Sequence, residues 1–209
     1  MTLPLASGQR KQHWESVYSA KSSNEVSWYQ STPVTSLSLI HASGAGQAAK
    51  LIDIGGGTST LADHLIAEGF CDVTVLDISS TAIEQARHRL DTKTSQIQWI
   101  VADIVSWQPG TCYDLWHDRA VFHFLTNPQD RSAYIATLKA ALRPGGTVIL
   151  ATFALNGPER CSGLPVCRYS PETLAAELGG EFTLVQTIAE DHHTPSGSVQ
   201  SFIYCRFTR

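Results

Sequence analysis

Residues 51–57, LIDIGGG, set an aspartate and three glycines between an apolar run and a stretch with helical spacing. Glycine has no Cβ, so Gly55 and Gly57 allow a tight turn and a close approach of ligand to main chain, while Thr58 or Ser59 stands where it could cap the following helix. A second acid, Asp77, closes the next apolar run, the position from which a carboxylate accepts hydrogen bonds from both hydroxyls of a ribose. A third, Asp103, closes the run after that. A pyrophosphate binder would carry another glycine where Thr60 stands. This loop instead has Asp53 ahead of it, and an acid there suits a ligand that bears an ammonium group. The competing readings are a dinucleotide site of the dehydrogenase kind and a structural strand-to-helix connection; acids closing successive runs argue against the latter.

Positioning three acids at the ends of three runs requires parallel strands joined by helices. AKLIDI, DVTVLDI, IQWIVADI, YDLWHD and TVILATFA read as strands, and TSTLADHLIAEG, STAIEQARHRL and residues 130–142 read as helices between them. Strands so apolar are buried on both faces, which predicts an α/β fold with a parallel sheet and right-handed crossovers. SPETLAAELGG is a short helix opened by Ser170 with Pro171 in its first position. Two strands come after it, 182–189 and 198–206, joined by the polar stretch EDHHTPSGS as a hairpin loop. Residues 155–169 form a loop longer than most connections, and such loops often carry function.

The bulk numbers limit the classes. A chain of 209 residues with 43% hydrophobic residues and five tryptophans can bury its own core and is read as one domain, 1–209. Within it, 1–45 is a lid or helical segment and 46–209 the core. A net charge of −4 and no basic run exclude a general attraction to phosphate backbones or anionic lipid, so neither nucleic acid nor membrane is expected as a partner. Five scattered cysteines without a C-x-x-C pair suggest neither zinc nor disulfides but reduced thiols, and no metal is expected. No signal-peptide core or spanning segment is evident, which predicts a cytoplasmic chain, monomer or homodimer.

On DIGGGTS, VTVLDIS, VADI and LRPGGTVIL, in that order over residues 50–155, the sequence resembles the class I S-adenosylmethionine-dependent methyltransferases. The resemblance implies a Rossmann-like seven-stranded sheet ordered 3-2-1-4-5-7-6 with a C-terminal antiparallel hairpin, and S-adenosylmethionine as cofactor. It puts Asp53, Gly55 and Gly57 at the methionine end and Asp77 on the ribose. Ile78 and Ile104 would flank adenine, and Asp103 would accept from its amino group. Both isoleucines could equally be core.

The acceptor side is expected at the end of the fourth strand. DRAVFHFLTNPQDRSAY is similar to the matching stretch of thiopurine and related thiol or chalcogen methyltransferases, departing from it at His123. That likeness gives Asp118 and Arg119 places beside the sulfonium and acceptor. His117 and His123 are candidates to take a proton, or ordinary hydrogen-bonded histidines. HWESVYSAKSSNEVSWYQ resembles the lid of small methyltransferases, some of which modify protein lysine; Trp14, Tyr18, Trp28 and Tyr29 would cover the cofactor or else pack as core. Cys161, Cys167, Arg160 and Arg168 sit near the expected pocket mouth, and Tyr29, Cys161 and Arg168 are the expected substrate contacts. The leading expectation is methyl transfer to a small soft nucleophile such as a thiol or sulfide. The alternatives are a protein-lysine N-methyltransferase and a non-catalytic cofactor-binding module.

Overall fold

The computed structural model describes residues 7–209, and the first six residues of the expected lid segment lie outside the described residues. Two helices, α1 (Ser7–Ala20) and α2 (Val34–Ala42), precede an alternating series. That series runs β1 (Leu51–Ile54), α3 (Leu61–Ala67), β2 (Val73–Asp77), α4 (Ser80–Leu90), β3 (Ile97–Val101), β4 (Tyr113–Arg119), α5 (Pro128–Ala141) and β5 (Leu142–Phe153). The remainder is β6 (Arg160–Cys161), β7 (Leu164–Pro165), α6 (Pro171–Leu178), β8 (Thr183–His193) and β9 (Val199–Thr208).

The main sheet has seven strands in the order β3-β2-β1-β4-β5-β9-β8, and β6 pairs with β7 alone. With that two-residue ladder set aside, this is the expected 3-2-1-4-5-7-6 order. β1 to β5 are parallel, while β9 lies antiparallel to both β5 and β8. Successive strand residues feed opposite faces, as the two-residue period requires. Ile52, Ile54, Trp116, Val148 and Leu150 pack with α5 and α6 residues such as Tyr134, Leu138 and Leu174. Leu51, Val75, Leu115 and Ile149 pack with α2, α3 and α4 through Leu39, Leu65 and Ile83. The sheet is therefore covered on both sides, and the carboxyl ends of β1, β2, β3 and β4 are left to form a crevice.

Local chemistry sets the helix ends. Asn127 caps α5 by accepting from the Gln129 amide with Pro128 in the first turn, so the helix starts two residues before the expected 130. α6 obeys its sequence: the Ser170 hydroxyl accepts from the Thr173 amide, Pro171 is first, and Gly179 ends the helix at φ +83°. The hairpin departs from expectation. β8 stays paired through His193↔Val199, and the turn shrinks to residues 194–198. β8 is an edge strand whose residues alternate between exposed and half-buried, so EDHH is polar without being a loop. The 155–169 stretch is not structureless either, since β6 and β7 form a small ladder turned by Ser162 at φ +46° and Gly163 at φ +77°.

Candidate active site

Two cavities open at the carboxyl ends of the central strands. They share Tyr18, Trp28, Ile54, Gly55 and Arg119 in their walls, and so form one bent space. The larger, about 850 Å³ with its open mouth included, reaches Leu76, Asp77, Ile78, Asp103 and Ile104 at one end and Phe153, Cys161, Gln200 and Phe202 at the other. The smaller, about 480 Å³, is walled by Tyr29, Gln30, Asp53, Gly56, Thr58 and His117. These are sizes at which proteins enclose metabolites.

β1 delivers Asp53 and then breaks at Gly55, whose φ of +66° a side chain would resist. A Cβ on Gly57 would come within 2.5 Å of Asp77 Oδ2, and one on Gly56 within 2.5 Å of Asp53 Oδ2. The glycines are therefore required by the two carboxylates that fold over them. Gly57 itself lies behind Asp77 and does not line either cavity. Asp77, at the end of β2, accepts from the Ser79 amide at 2.8 Å. Burial first, and then the Asp53 and Glu15 carboxylates, push it up to about 7. Asp53 accepts at Oδ1 from His117 Nδ1 at 2.7 Å, while its Oδ2 is buried with no hydrogen-bond partner. A buried carboxylate oxygen without a donor is costly to leave so. Together an acid with one unpartnered buried oxygen, a second buried acid and bare glycine backbone fit a ligand that brings an ammonium group and ribose hydroxyls. Asp103 accepts from Arg10 at 2.9 Å and from the Val105 amide at 3.2 Å, and a carboxylate retains further acceptor capacity.

The other end of the space is aromatic. Arg119, last in β4, donates through Nε to the Tyr204 hydroxyl and through Nη1 to the Trp28 carbonyl, both at 2.9 Å, and lies 4.8 Å over the Phe202 ring. Its Nη2 is buried and unpartnered. Asp118 next to it is spent on structure: its oxygens accept from the Val121 and Phe122 amides and from the Tyr134 hydroxyl at 2.6 Å. Burial pushes Asp118 up to about 6, and it does not line the cavities. His123 is also wholly buried, with Nδ1 accepting from the Phe153 amide at 3.3 Å and Nε2 unpartnered. Burial, with Arg119 adding, pushes it down to about 3, so it stays neutral beneath the cavity wall. Cys161 does line the cavity, and burial raises its thiol. Arg168 turns away to the Gly157 carbonyl and Glu159. Tyr29 lies on the Asp53 side, away from the aromatic end.

Helix α1 roofs the crevice. Trp14 and Tyr18, one turn apart, have ring centroids 6.2 Å apart, and both rings meet Trp28 edge-on. At one end Arg10 bridges Asp103 and Asp130, each at 2.9 Å. Further along, Glu15 accepts from the Ser79 hydroxyl, the Ser80 amide and hydroxyl, and the Thr81 amide, over the start of α4.

Of the residues read from sequence, Tyr18, Trp28, Asp53, Gly55, Thr58, Asp77, Ile78, Asp103 and Ile104 all line the shared space, as do Arg119, Cys161 and Tyr29. Sequence reasoning missed Arg10, Phe124, Phe153, Gln200 and Phe202, which also line it. An arginine eight residues before Tyr18 and alternate residues of the last strand were the available signals, but only the sheet order places β9 beside β5. Among the described residues no cluster of three His, Cys, Asp or Glu could hold a metal ion, and no helix is long and apolar enough to cross a membrane.

Comparison with known proteins agrees with this geometry. Residues 51–146 match the family model of a methyltransferase domain. The chain is 28% identical over 104 residues to malonyl-[acyl-carrier protein] O-methyltransferase 2 of Ilyobacter polytropus, covering 49% of this chain and 39% of that one. It is 30% identical over 135 residues to trans-aconitate 2-methyltransferase of an Azoarcus species, covering 64% and 49%. The alignments thus span half or less of those curated relatives. In fold it is similar to the Burkholderia thailandensis 1,6-didemethyltoxoflavin-N1-methyltransferase solved with its acceptor and S-adenosylhomocysteine, at a TM-score of 0.74 and 17% identity over 100% of this chain and 93% of that one. With glycine loop, strand-end acids, sheet order and family match in agreement, residues 51–146 are an S-adenosylmethionine-dependent methyltransferase domain.

Proposed function

We propose that the chain is an enzyme that methylates a small soft nucleophile, before any other a thiol of near-neutral pKa, which gives its proton to water before binding and reacts as the thiolate. S-adenosylmethionine, when bound, supplies a methyl group activated on a sulfonium. Asp53 Oδ2 would receive the ammonium, Asp77 the ribose hydroxyls and Asp103 the adenine amino group, with Ile78 and Ile104 against the ring. Displacement at a methyl carbon asks the protein to align nucleophile and donor and to exclude water. Trp28, Phe124, Phe153 and Phe202 supply the dry walls.

The observation that carries the acceptor class is Arg119 Nη2, a buried cationic donor with no partner, at an aromatic end that offers no free base among the described residues. Of the groups expected to move protons there, Asp118 is consumed by hydrogen bonds and His123 is buried outside the lining. An amine or alcohol would find nothing to take its proton, and a lysine ammonium would meet the guanidinium charge. A thiolate needs no base and is drawn to Arg119. A small carboxylate shares that charge, and the names of the two curated relatives, an O-methyltransferase and trans-aconitate 2-methyltransferase, support it as the second reading. Cys71 and Cys112 are exposed free thiols, which supports a reducing, cytoplasmic working place.

The test is transfer of labelled methyl to a panel of small thiols, carboxylic acids and amines. Thiol methylation is expected, with loss of about ten- to a hundredfold in kcat/KM in Arg119→Met, the scale of removing one charged hydrogen bond. Methylation of amines alone would overturn the reading, and tight binding of S-adenosylhomocysteine without turnover of any acceptor would leave a cofactor-binding module.

A further inference from the structure

Resting on the methyltransferase reading, we propose that His117, held by Ser36, is the positioning residue that aims Asp53 at the ammonium group of the methionyl end. The three side chains form a closed chain: Asp53 Oδ1 to His117 Nδ1 at 2.7 Å, and His117 Nε2 to Ser36 Oγ at 2.9 Å. All three are buried, at 2%, 2% and 1% exposure.

The geometry separates the two oxygens of one carboxylate. Oδ1 is held by the imidazole, and Oδ2 has no partner and lies over Gly56 beside the smaller cavity. A carboxylate tethered through Cγ and held at one oxygen cannot rotate about Cβ–Cγ without breaking that hydrogen bond, so the free oxygen keeps its direction. Ser36 completes the restraint: its hydroxyl donates to Nε2 when Nδ1 carries the proton, which fixes the tautomer that donates to Asp53. The histidine lies in β4, paired directly with Asp53 of β1, and the serine in α2. Two elements that carry no other cofactor contact of this kind are thereby tied to the methionine end. His117 stands on the donor side of the space, removed from the aromatic acceptor end, so it is placed to orient the donor and not to deprotonate an acceptor.

The test compares two ligands that differ only at that end. S-adenosylhomocysteine carries the amino-acid group and 5′-methylthioadenosine lacks it. By calorimetry, His117→Leu is expected to lose about tenfold or more in affinity for the first and to keep its affinity for the second within about twofold, the scale of one hydrogen bond to a charged group. Asp53→Asn should show the same selectivity. His117→Asn keeps a donor in the place of Nδ1 and is expected to restore most of the discrimination, while Ser36→Ala gives an intermediate loss. Equal losses for both ligands, in His117→Leu and His117→Asn alike, would reduce His117 to packing and overturn the proposal. So would unchanged discrimination in His117→Leu where Asp53→Asn has lost it. Should the unaltered chain bind neither ligand, the methyltransferase reading itself fails, and this inference with it.

Discussion

At the scale of single residues, the site is organised by buried carboxylates. Asp77 is the clearest case. Its buried carboxyl is pushed up from the ordinary 3.8 to about 7, chiefly by desolvation. Between those values the folded chain holds a proton that the unfolded chain has lost, so stability of the cofactor-free protein falls as pH rises through this window and is level above it. Asp77→Asn keeps an acceptor for the Ser79 amide and removes the buried charge. At pH 8 it is expected to stabilise the chain by on the order of 1–4 kcal/mol, read as a higher thermal midpoint, while abolishing affinity for S-adenosylhomocysteine. Ribose hydroxyls need the ionised form, so affinity of the unaltered chain should weaken about tenfold per pH unit below 7. Titration calorimetry from pH 5.5 to 8 checks this, and a flat profile would contradict it. Gly57→Ala is a second probe at this scale: the added carbon meets Asp77 Oδ2 at 2.5 Å and Ala82 Cβ at 3.1 Å, so cofactor affinity should fall at least tenfold, the scale of one displaced charged contact.

At the scale of elements, α1 is held by its two ends and its aromatic face. Burial alone would raise Glu15, but hydroxyls and the amide from Ser79, Ser80 and Thr81 outweigh it and hold the carboxyl down to about 2. The negative charge also sits at the positive end of α4. A depressed acid contributes fully above its unfolded value, near 4.5, and that contribution is lost as pH falls toward 2. Glu15→Ala at neutral pH should therefore raise amide hydrogen exchange across residues 8–20 by about tenfold, while β1 and β4 keep their protection. Uniform loosening of the whole chain would refute the latch. The elements also show where sequence reading succeeds and where it stops. Ser170 and Pro171 announce α6 because a cap is a contact three residues long. Asp53, Asp77 and Asp103 were readable because strand ends recur with the βα period. Arg119, by contrast, is aimed by Tyr204 and by the Trp28 carbonyl, 85 and 91 residues distant, and only the packed sheet reveals that its third nitrogen is left over. Asp118 and His123 carry reactive groups in a suggestive stretch, yet Tyr134, two backbone amides and burial turn them to structural ends.

At the scale of the whole molecule, the division of labour tracks the sheet. Residues 51–146 supply the glycine loop and the acids, whereas Phe153, Cys161, Gln200 and Phe202 at the acceptor end all lie beyond the family match. β9 brings Gln200 and Phe202 there, pairing with β5 from Thr147↔Thr208 to Phe153↔Phe202. Under the proposed function, selectivity among acceptors would be carried by residues outside the family match. Phe202→Leu is expected to raise KM for the acceptor several-fold while changing affinity for S-adenosylhomocysteine less than about twofold, since it removes a ring beneath Arg119 and nothing at the nucleoside end. Steady-state kinetics beside calorimetry would separate these, and parallel losses would contradict the division. The roof adds one more consequence. α1 carries Tyr18, only 5% exposed, and is fastened to both α4 and α5, so in the proposed enzyme a spent nucleoside would leave once those fastenings let go. The tempo of repeated turnovers would then belong to a clasp away from the reacting atoms, and selection on speed would reach Arg10 and Glu15 as well as the chemistry they enclose.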